Sequence, residues 1–483
     1  MPGEISRRTA LRLGAIGAVG GAALAVGSRQ GAGAAATIRS GRKGAGPGHA
    51  AAGQRAPADA AADRIVASVR RPWFPPRYFP VTSFGAAGDG STLDTEAFAR
   101  AIAACNRAGG GHVVVPSGGT FLTGAIHLLS NVDLNVERGA TIAFSQDPND
   151  YLPVVWTRWQ GIELMNYSPF IYCFGQRNVA VTGAGTLDGQ ADDSHWWNWK
   201  NLETADFDAL ETMADDDVPV QRRVFGAGHH LPPQMIQPYR SDTVLLQGVT
   251  VVNSPFWHLN PNLCANVTVE GLSISSSGPN TDGCDPESCD GVVVRDVTYD
   301  TGDDCMAIKS GRDADGRRVN VPCQNVVIED CDFADGHGGI TVGSEMTGGV
   351  RNVYARDLRM NSANLEAGHR VKSNTLRGGY VVNTNVYRVG AGTIGGPLLE
   401  IQGNYDGQTG DFPPDLTGIT LADWTVGTCA GLWSIVGASA SDPVGTATLR
   451  DIAVTTSTAG NSAQYISDLV VENVTVGGTP VTA

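Results

Sequence analysis

Nine segments of this chain repeat one unit: a turn at Asn, Asp or Gly, a short alternating Val/Ile run, and a second short strand. The clearest copies are "NVTVEGLSIS" from Asn266, "GVVVRDVTYD" from Gly291, "NVVIEDCDF" from Asn325 and "NVYARDLRM" from Asn352. The step from Asn266 to Asp290 is 24 residues and that from Asn325 to Asn352 is 27. The longer step between Asp290 and Asn325 holds a polar insertion, "GRDADGRRVNVP". A period of this length with several strands per repeat marks a solenoid, since each unit buries its apolar side only by stacking on neighbours. There is no leucine ladder, and a β-sandwich does not require a recurring unit. The expectation is an all-β, right-handed parallel β-helix, its coils about 4.8 Å apart.

One helix precedes the strands. In "DTEAFARAIAACNRAGGG", Asp94 is the expected N-cap, Phe98, Ile102 and Cys105 share a stripe, and three glycines stop the helix. It is expected to cover the open N-terminal edge of the β-helix.

The 483 residues carry a net charge of −15, which argues against nucleic acid and anionic membranes as partners. Residues 1–36 look like a targeting segment: Arg7-Arg8 precedes a weakly apolar Ala/Gly stretch, as in twin-arginine signals. The expected location is therefore secreted or extracellular, with no membrane association after signal removal. Residues 37–75 are assigned as a flexible linker, and 76–483 as a single β-helix domain, expected to be monomeric. Nine cysteines without paired CxxC spacing point to small buried apolar residues rather than zinc ligands. Cys284 and Cys289 are the one pair placed to bridge a loop. Residues 191–240 break the strand rhythm and hold three tryptophans and His229-His230. They fit either a folded loop with its own core or a sugar-stacking wall.

Polar clusters recur at coil spacing. "GPNTDGCDPESCDG" brings Asn280 and Asp282, and "GDDCMAIKSG" brings Asp303 and Asp304. "DGHGGITVGSE" brings His337, and "HRVKSN" brings Arg370 and Lys372. With the insertion set aside, each lies about one coil after the last, so a solenoid stacks them on one face. Arg370 and Lys372 point outward around an inward Val371. Gly302 implies a bend that turns both Asp303 and Asp304 into one groove. Carboxylates that crowd together split their proton affinities, which supplies the acid and the base of glycoside hydrolysis.

This set, in this order, resembles glycoside hydrolase family 28, the polygalacturonase family, in its bacterial form. It rests on Asn280-Thr281-Asp282, Gly302-Asp303-Asp304-Cys305, Gly336-His337-Gly338 and Arg370-Val371-Lys372. "FGAAGDGSTLDTEAFARAI", "TRWQGIELMNYSPFIY" and "RVFGAGHHLPPQMIQPYR" also resemble segments of such enzymes, and the likeness covers nearly all of residues 80–483. The resemblance implies inverting, metal-independent hydrolysis of galacturonosyl linkages in pectin, with no cofactor. It implies Asp303 as general acid, Asp282 and Asp304 on the attacking water, and His337 beside the acid. Arg370 and Lys372 would bind the galacturonate carboxylate, Asn280 would orient the cluster, and Tyr405 in "IQGNYDG" would stack on sugar. The family's carboxylates sit closer than the usual inverting separation. Departures are His369 in place of an apolar residue and Val371 in place of the commoner Ile. If residues 191–240 block one end of the groove, exo-action follows. The alternatives are hydrolysis of rhamnogalacturonan or other decorated pectin, a calcium-dependent lyase on the same fold, and a non-catalytic carbohydrate-binding β-helix.

Overall fold

The computed structural model describes residues 57–483; the expected targeting segment, residues 1–36, lies outside them. The strands form parallel ladders wound into a right-handed β-helix. A first ladder starts at Tyr78–Pro80 and Gly111–Val115 and climbs through Ala265–Glu270, Asp290–Arg295 and Cys323–Glu329 to Ile466–Val476. A second runs from Asp89–Leu93 through Ser273–Ser276 and Thr298–Thr301 to Asp332–Asp335. It then merges with the first, because strands from Val350–Ser362 onward are long enough to serve both. The third ladder begins at Ile126–His127 and carries Ile236–Tyr239, Met306–Ile308, Gly338–Val342, Ala367–Lys372 and Pro397–Gln402.

Register explains the core. Val244, Val267, Val292, Val326 and Val353 stand directly above one another in the first ladder, all buried. The stack continues at Thr384 and Ile419. The buried Thr384 hydroxyl lies 3.3 Å from Nε2 of His369, whose Nδ1 is 2.8 Å from the Ile340 carbonyl. The polar departure at His369 is thus matched by a second polar residue in the core, as a buried imidazole requires. The turns that open each copy place Asn266, Asn325, Asn352 and Asn383 in the left-handed region, which Asn tolerates better than most residues. Their side chains hydrogen-bond along the stack, Asn352 to Asn325 at 3.1 Å and Asn383 to Asn352 at 2.9 Å.

The helix Thr95–Arg107 lies where expected, with Phe98, Ile102 and Cys105 buried. Asp94 precedes it, but its carboxylate accepts from the amides of Ala87 and Gly88 rather than capping the helix. Two expectations need correction. The linker assigned to 37–75 contains a helix, Pro57–Ser68, packed through Ala58, Ala61, Ala62, Ile65 and Val66 on Val327, Tyr354, Tyr387 and Ala422. Asp59 anchors it to Arg356, Tyr387 and Arg388, and Arg70 and Arg71 pair with Asp242 and Glu270. Nor do Cys284 and Cys289 form a bridge: all nine cysteines are buried free thiols. Cys284 sits in the core, and the Cys289 thiol donates to the Pro261 carbonyl at 3.1 Å.

The break in rhythm folds into a wall beside the third ladder. Its helix Thr204–Asp215 and the hairpin of Val155–Trp159 and Ile162–Asn166 share a small core of Trp159, Leu210, Phe225 and Phe256. The polar insertion forms the short helix Asp313–Val319, tied to this wall by Arg223–Asp315 and Arg318–Glu163 ion pairs. Among the described residues no helix is long and apolar enough to cross a membrane.

Candidate active site

The third ladder brings the four sequence clusters together. Asp282 leads into the bridge at Cys284, Asp303 and Asp304 lead into Met306–Ile308, and His337 leads into Gly338–Val342. Donor atoms of Asp282, Asp303 and Asp304 lie within 4.8 Å of one another. The chain bends at Gly302–Asp304 instead of running as strand, so adjacent aspartates reach the same groove. Gly302 fits against the Gly278 carbonyl and the Thr281 hydroxyl, leaving no room for a Cβ. Gly338 is equally confined, against Asp304 and Thr341.

The carboxylates differ in exposure. The side chain of Asp303 is 24% exposed, against 4% for Asp282 and 1% for Asp304, so Asp303 is the one a substrate reaches. His337 Nδ1 is 3.4 Å from Asp303 Oδ1, and Asn280 Nδ2 donates to Asp303 Oδ2 at 3.4 Å. Lys372 Nζ donates to Asp304 Oδ2 at 2.7 Å and stands 5.5 Å from the centre of the Tyr405 ring. Lys309, 3.8 Å from Asp282, also pairs with Glu345 at 3.0 Å and lies over Trp257. The three aspartates are close enough to share a cation, but Lys372 and Lys309 already supply positive charge among them.

Burial and charge set the protonation pattern. Burial, then the charge of Asp303, raises the Asp282 carboxyl well above the usual range. Burial also works to raise Asp303, yet the hydrogen bond to His337 and the charge of Lys372 outweigh it and hold that carboxyl low. The same bond raises His337 to about 9. The shifts thus run in opposite directions within the cluster: Asp282 is the carboxyl that its surroundings push toward the protonated form, and Asp303 is the one held toward the charged form by the imidazole of His337. Oδ1 of Asp282, Oδ1 of Asp304 and Oγ1 of Thr341 are buried without a protein hydrogen-bond partner. Buried polar atoms that converge in this way suit a small hydrogen-bonding guest.

All eight residues singled out in the sequence gather here, with one difference in state. Arg370 is clamped between Glu366 at 2.7 Å and Glu400 at 2.6 Å, its charge already matched. Several cluster members were not singled out from sequence. Asp285 is fully buried, and burial together with Asp282 raises it well above the usual range. Lys309, Glu345, Arg312 and Arg377 line the same pocket. That pocket, about 300 Å³, is bounded on one side by Gln160, Lys200, Phe207 and Arg312. Arg312 stacks over Phe207 at 4.7 Å and pairs with Glu211, which locks the wall in place.

Residues 225–479 match the model of glycosyl hydrolases family 28. The chain is similar to an exopolygalacturonase from Thermotoga maritima, whose crystal structure is 38% identical over 86% of this chain and 96% of that one, with a TM-score of 0.81. It is 32% identical over 313 residues to a probable polygalacturonase of Vitis vinifera, spanning 62% of this chain and 58% of that protein. An endo-polygalacturonase of Pectobacterium parmentieri is 28% identical over 76% of this chain and 85% of its own length. With more than half of its length matched by that family's model, the chain belongs to glycosyl hydrolases family 28.

Proposed function

We propose that the chain is an exported hydrolase of galacturonosyl linkages in pectin, acting from a chain end. One observation carries the reading: three clustered carboxylates, one of them open to solvent, at the mouth of a pocket walled on one side. The relatives named polygalacturonase support the substrate, and the Thermotoga exopolygalacturonase supports the exo mode.

Asp303 serves as general acid. Its proton comes from His337 across the Nδ1–Oδ1 contact: a bound sugar expels water, raises the proton affinity of Asp303, and draws the proton over. The acid then protonates the glycosidic oxygen as the bond to the sugar breaks. A water held between Asp304 and protonated Asp282 attacks the anomeric carbon from the opposite face and gives its proton to Asp304. Lys372 stabilises Asp304 and stands close enough to meet a galacturonate carboxylate, with Tyr405 as the stacking surface. Asn280 steadies Asp303. The role of Arg370 is to hold Glu366 and Glu400 in place as much as to bind substrate.

The test is product analysis on homogalacturonan and rhamnogalacturonan. Monomeric galacturonate should appear first, and its anomer, followed by NMR, should be opposite to that of the cleaved linkage. An unsaturated, ultraviolet-absorbing product would replace hydrolysis with elimination. Release of long oligomers would remove the exo mode.

A further inference from the structure

Each aspartate on the water side of the site turns one oxygen to a lysine and leaves the other without a protein partner. Asp304 receives Lys372 Nζ on Oδ2 at 2.7 Å, and its Oδ1 is buried and unpartnered. Asp282 has Lys309 Nζ at 3.8 Å from Oδ2, and its Oδ1 is likewise buried and unpartnered. Lys372 belongs to a motif legible in the sequence, whereas Lys309 simply follows the apolar strand Met306–Ile308.

Lys309 is buried and fixed from several sides. It sits over the Trp257 ring at 4.5 Å, donates to the Gly343 carbonyl at 3.3 Å and pairs with Glu345 at 3.0 Å. Its Nζ also lies 3.8 Å from Oδ2 of Asp285, a fully buried residue whose two carboxylate oxygens have no hydrogen-bond partner. Among the described residues no other cation pairs with Asp282 or Asp285, whereas Glu345 also meets Arg312 at 3.4 Å and Asp304 has Lys372. Burial opposes the charge on Lys309, but Glu345, Asp285, Asp282 and Asp304 outweigh it and raise the ammonium well above its usual range. The backbone of Asp282 is held by other means, since Nδ1 of His258 donates to its carbonyl at 2.9 Å. Lys309 therefore acts on the carboxyl of Asp282 and not on the path of the chain.

We infer that Lys309 is a positioning residue for the attacking water: its ammonium, shared among Asp282, Asp285 and Glu345, draws Oδ2 of Asp282 inward, leaves Oδ1 turned to the water, and adds positive charge near Asp304, which takes the water's proton. This rests on the proposed function and adds a residue to its machinery. Three carboxyl groups compete for one cation, so the charge on Glu345 and Asp285 is coupled to that of the water site. On the groove side the same acids also face Asp303 and Lys372. From the neighbouring coils Glu345 faces Arg312, Arg377 and Glu287.

The experiment records kcat/KM against pH on oligogalacturonides for the wild type, Lys309→Met, Lys309→Arg and Glu345→Gln. Lys309→Met should move the acid limb up by roughly one pH unit, because the carboxyl groups around the water lose a cation. The alkaline limb, set at the His337 couple, should move less. Lys309→Arg keeps the charge and should return the acid limb close to its wild-type position, which a purely structural role would not require. Glu345→Gln removes a carboxylate that draws on the ammonium, so its acid limb should move down, and the Lys309→Met/Glu345→Gln variant should lie between the two single ones. If Lys309→Met does not fold, Glu345→Gln decides. The inference is overturned if the acid limb stays in place in Lys309→Met or in Glu345→Gln. It is equally overturned if Lys309→Met raises KM with kcat and both limbs unchanged, which would make the lysine a substrate ligand. A wild-type protein that hydrolyses no galacturonide would sink the proposed function and this inference with it; an unmoved limb in an active enzyme sinks only the inference.

Discussion

In the proposed mechanism Asp303 and His337 form the couple on which the chemistry turns, and the two can be separated by experiment. Asp303→Asn keeps the shape and removes the acid, so kcat should fall by about 10³-fold with the melting temperature little changed. His337→Gln should lower kcat by roughly 10²-fold and move the alkaline limb of kcat/KM to lower pH, because the proton reservoir is gone. The sign for stability follows from the imidazole, raised from 6.5 to about 9 in the folded chain. Its stabilising contribution is full below pH 6.5 and is lost as pH rises through about 9. The difference in melting temperature between wild type and His337→Gln should therefore be largest at pH 6 and vanish above pH 9. These residues were legible because each motif combines rare neighbours: paired aspartates after a glycine, a histidine among glycines, two cations flanking a valine. Asp285, Lys309 and Glu345 were not, since a lone acid or lysine in a strand is ordinarily solvated. Their burial only becomes visible once the coils stack, when Lys309 bridges beside Glu287 in the third ladder.

At the level of elements, the strand repeats were readable from Asn turns and alternating valines, and the register followed. Val292 has a valine above and below it, so Val292→Ala should cost about 2 kcal/mol in denaturant unfolding without altering kcat. The helix Pro57–Ser68 was read as linker because its alanine-rich composition outweighed its pattern. The pattern was present: Ala58, Ala61, Ala62, Ile65 and Val66 recur at helical spacing. What the sequence hides is the receiving surface, since Val327, Tyr354, Tyr387 and Ala422 come from four different strands. Asp59→Ala should lower stability by about 2 kcal/mol, because Arg356 and Arg388 each lose a charged partner.

For the whole molecule, the proposed action from a chain end gives the wall beside the third ladder the task of setting the product. Opening it with Phe207→Ala, which removes the platform under Arg312, should shift release from monomer toward oligomers. The thiol chemistry is likewise a property of the assembled fold. Native protein should react slowly with a thiol reagent and show nine groups after unfolding, and reductant should leave its melting temperature unchanged.

The docking of Pro57–Ser68 has a consequence for biogenesis. Its seat runs from Val327 to Ala422, so the segment cannot complete its contacts until residues as far on as Ala422 have left the ribosome. Such a long-range contact closes only after the intervening coils are wound. The helix is thus fully seated only when the coil that carries Ala422 has joined those that carry Val327, Tyr354 and Tyr387.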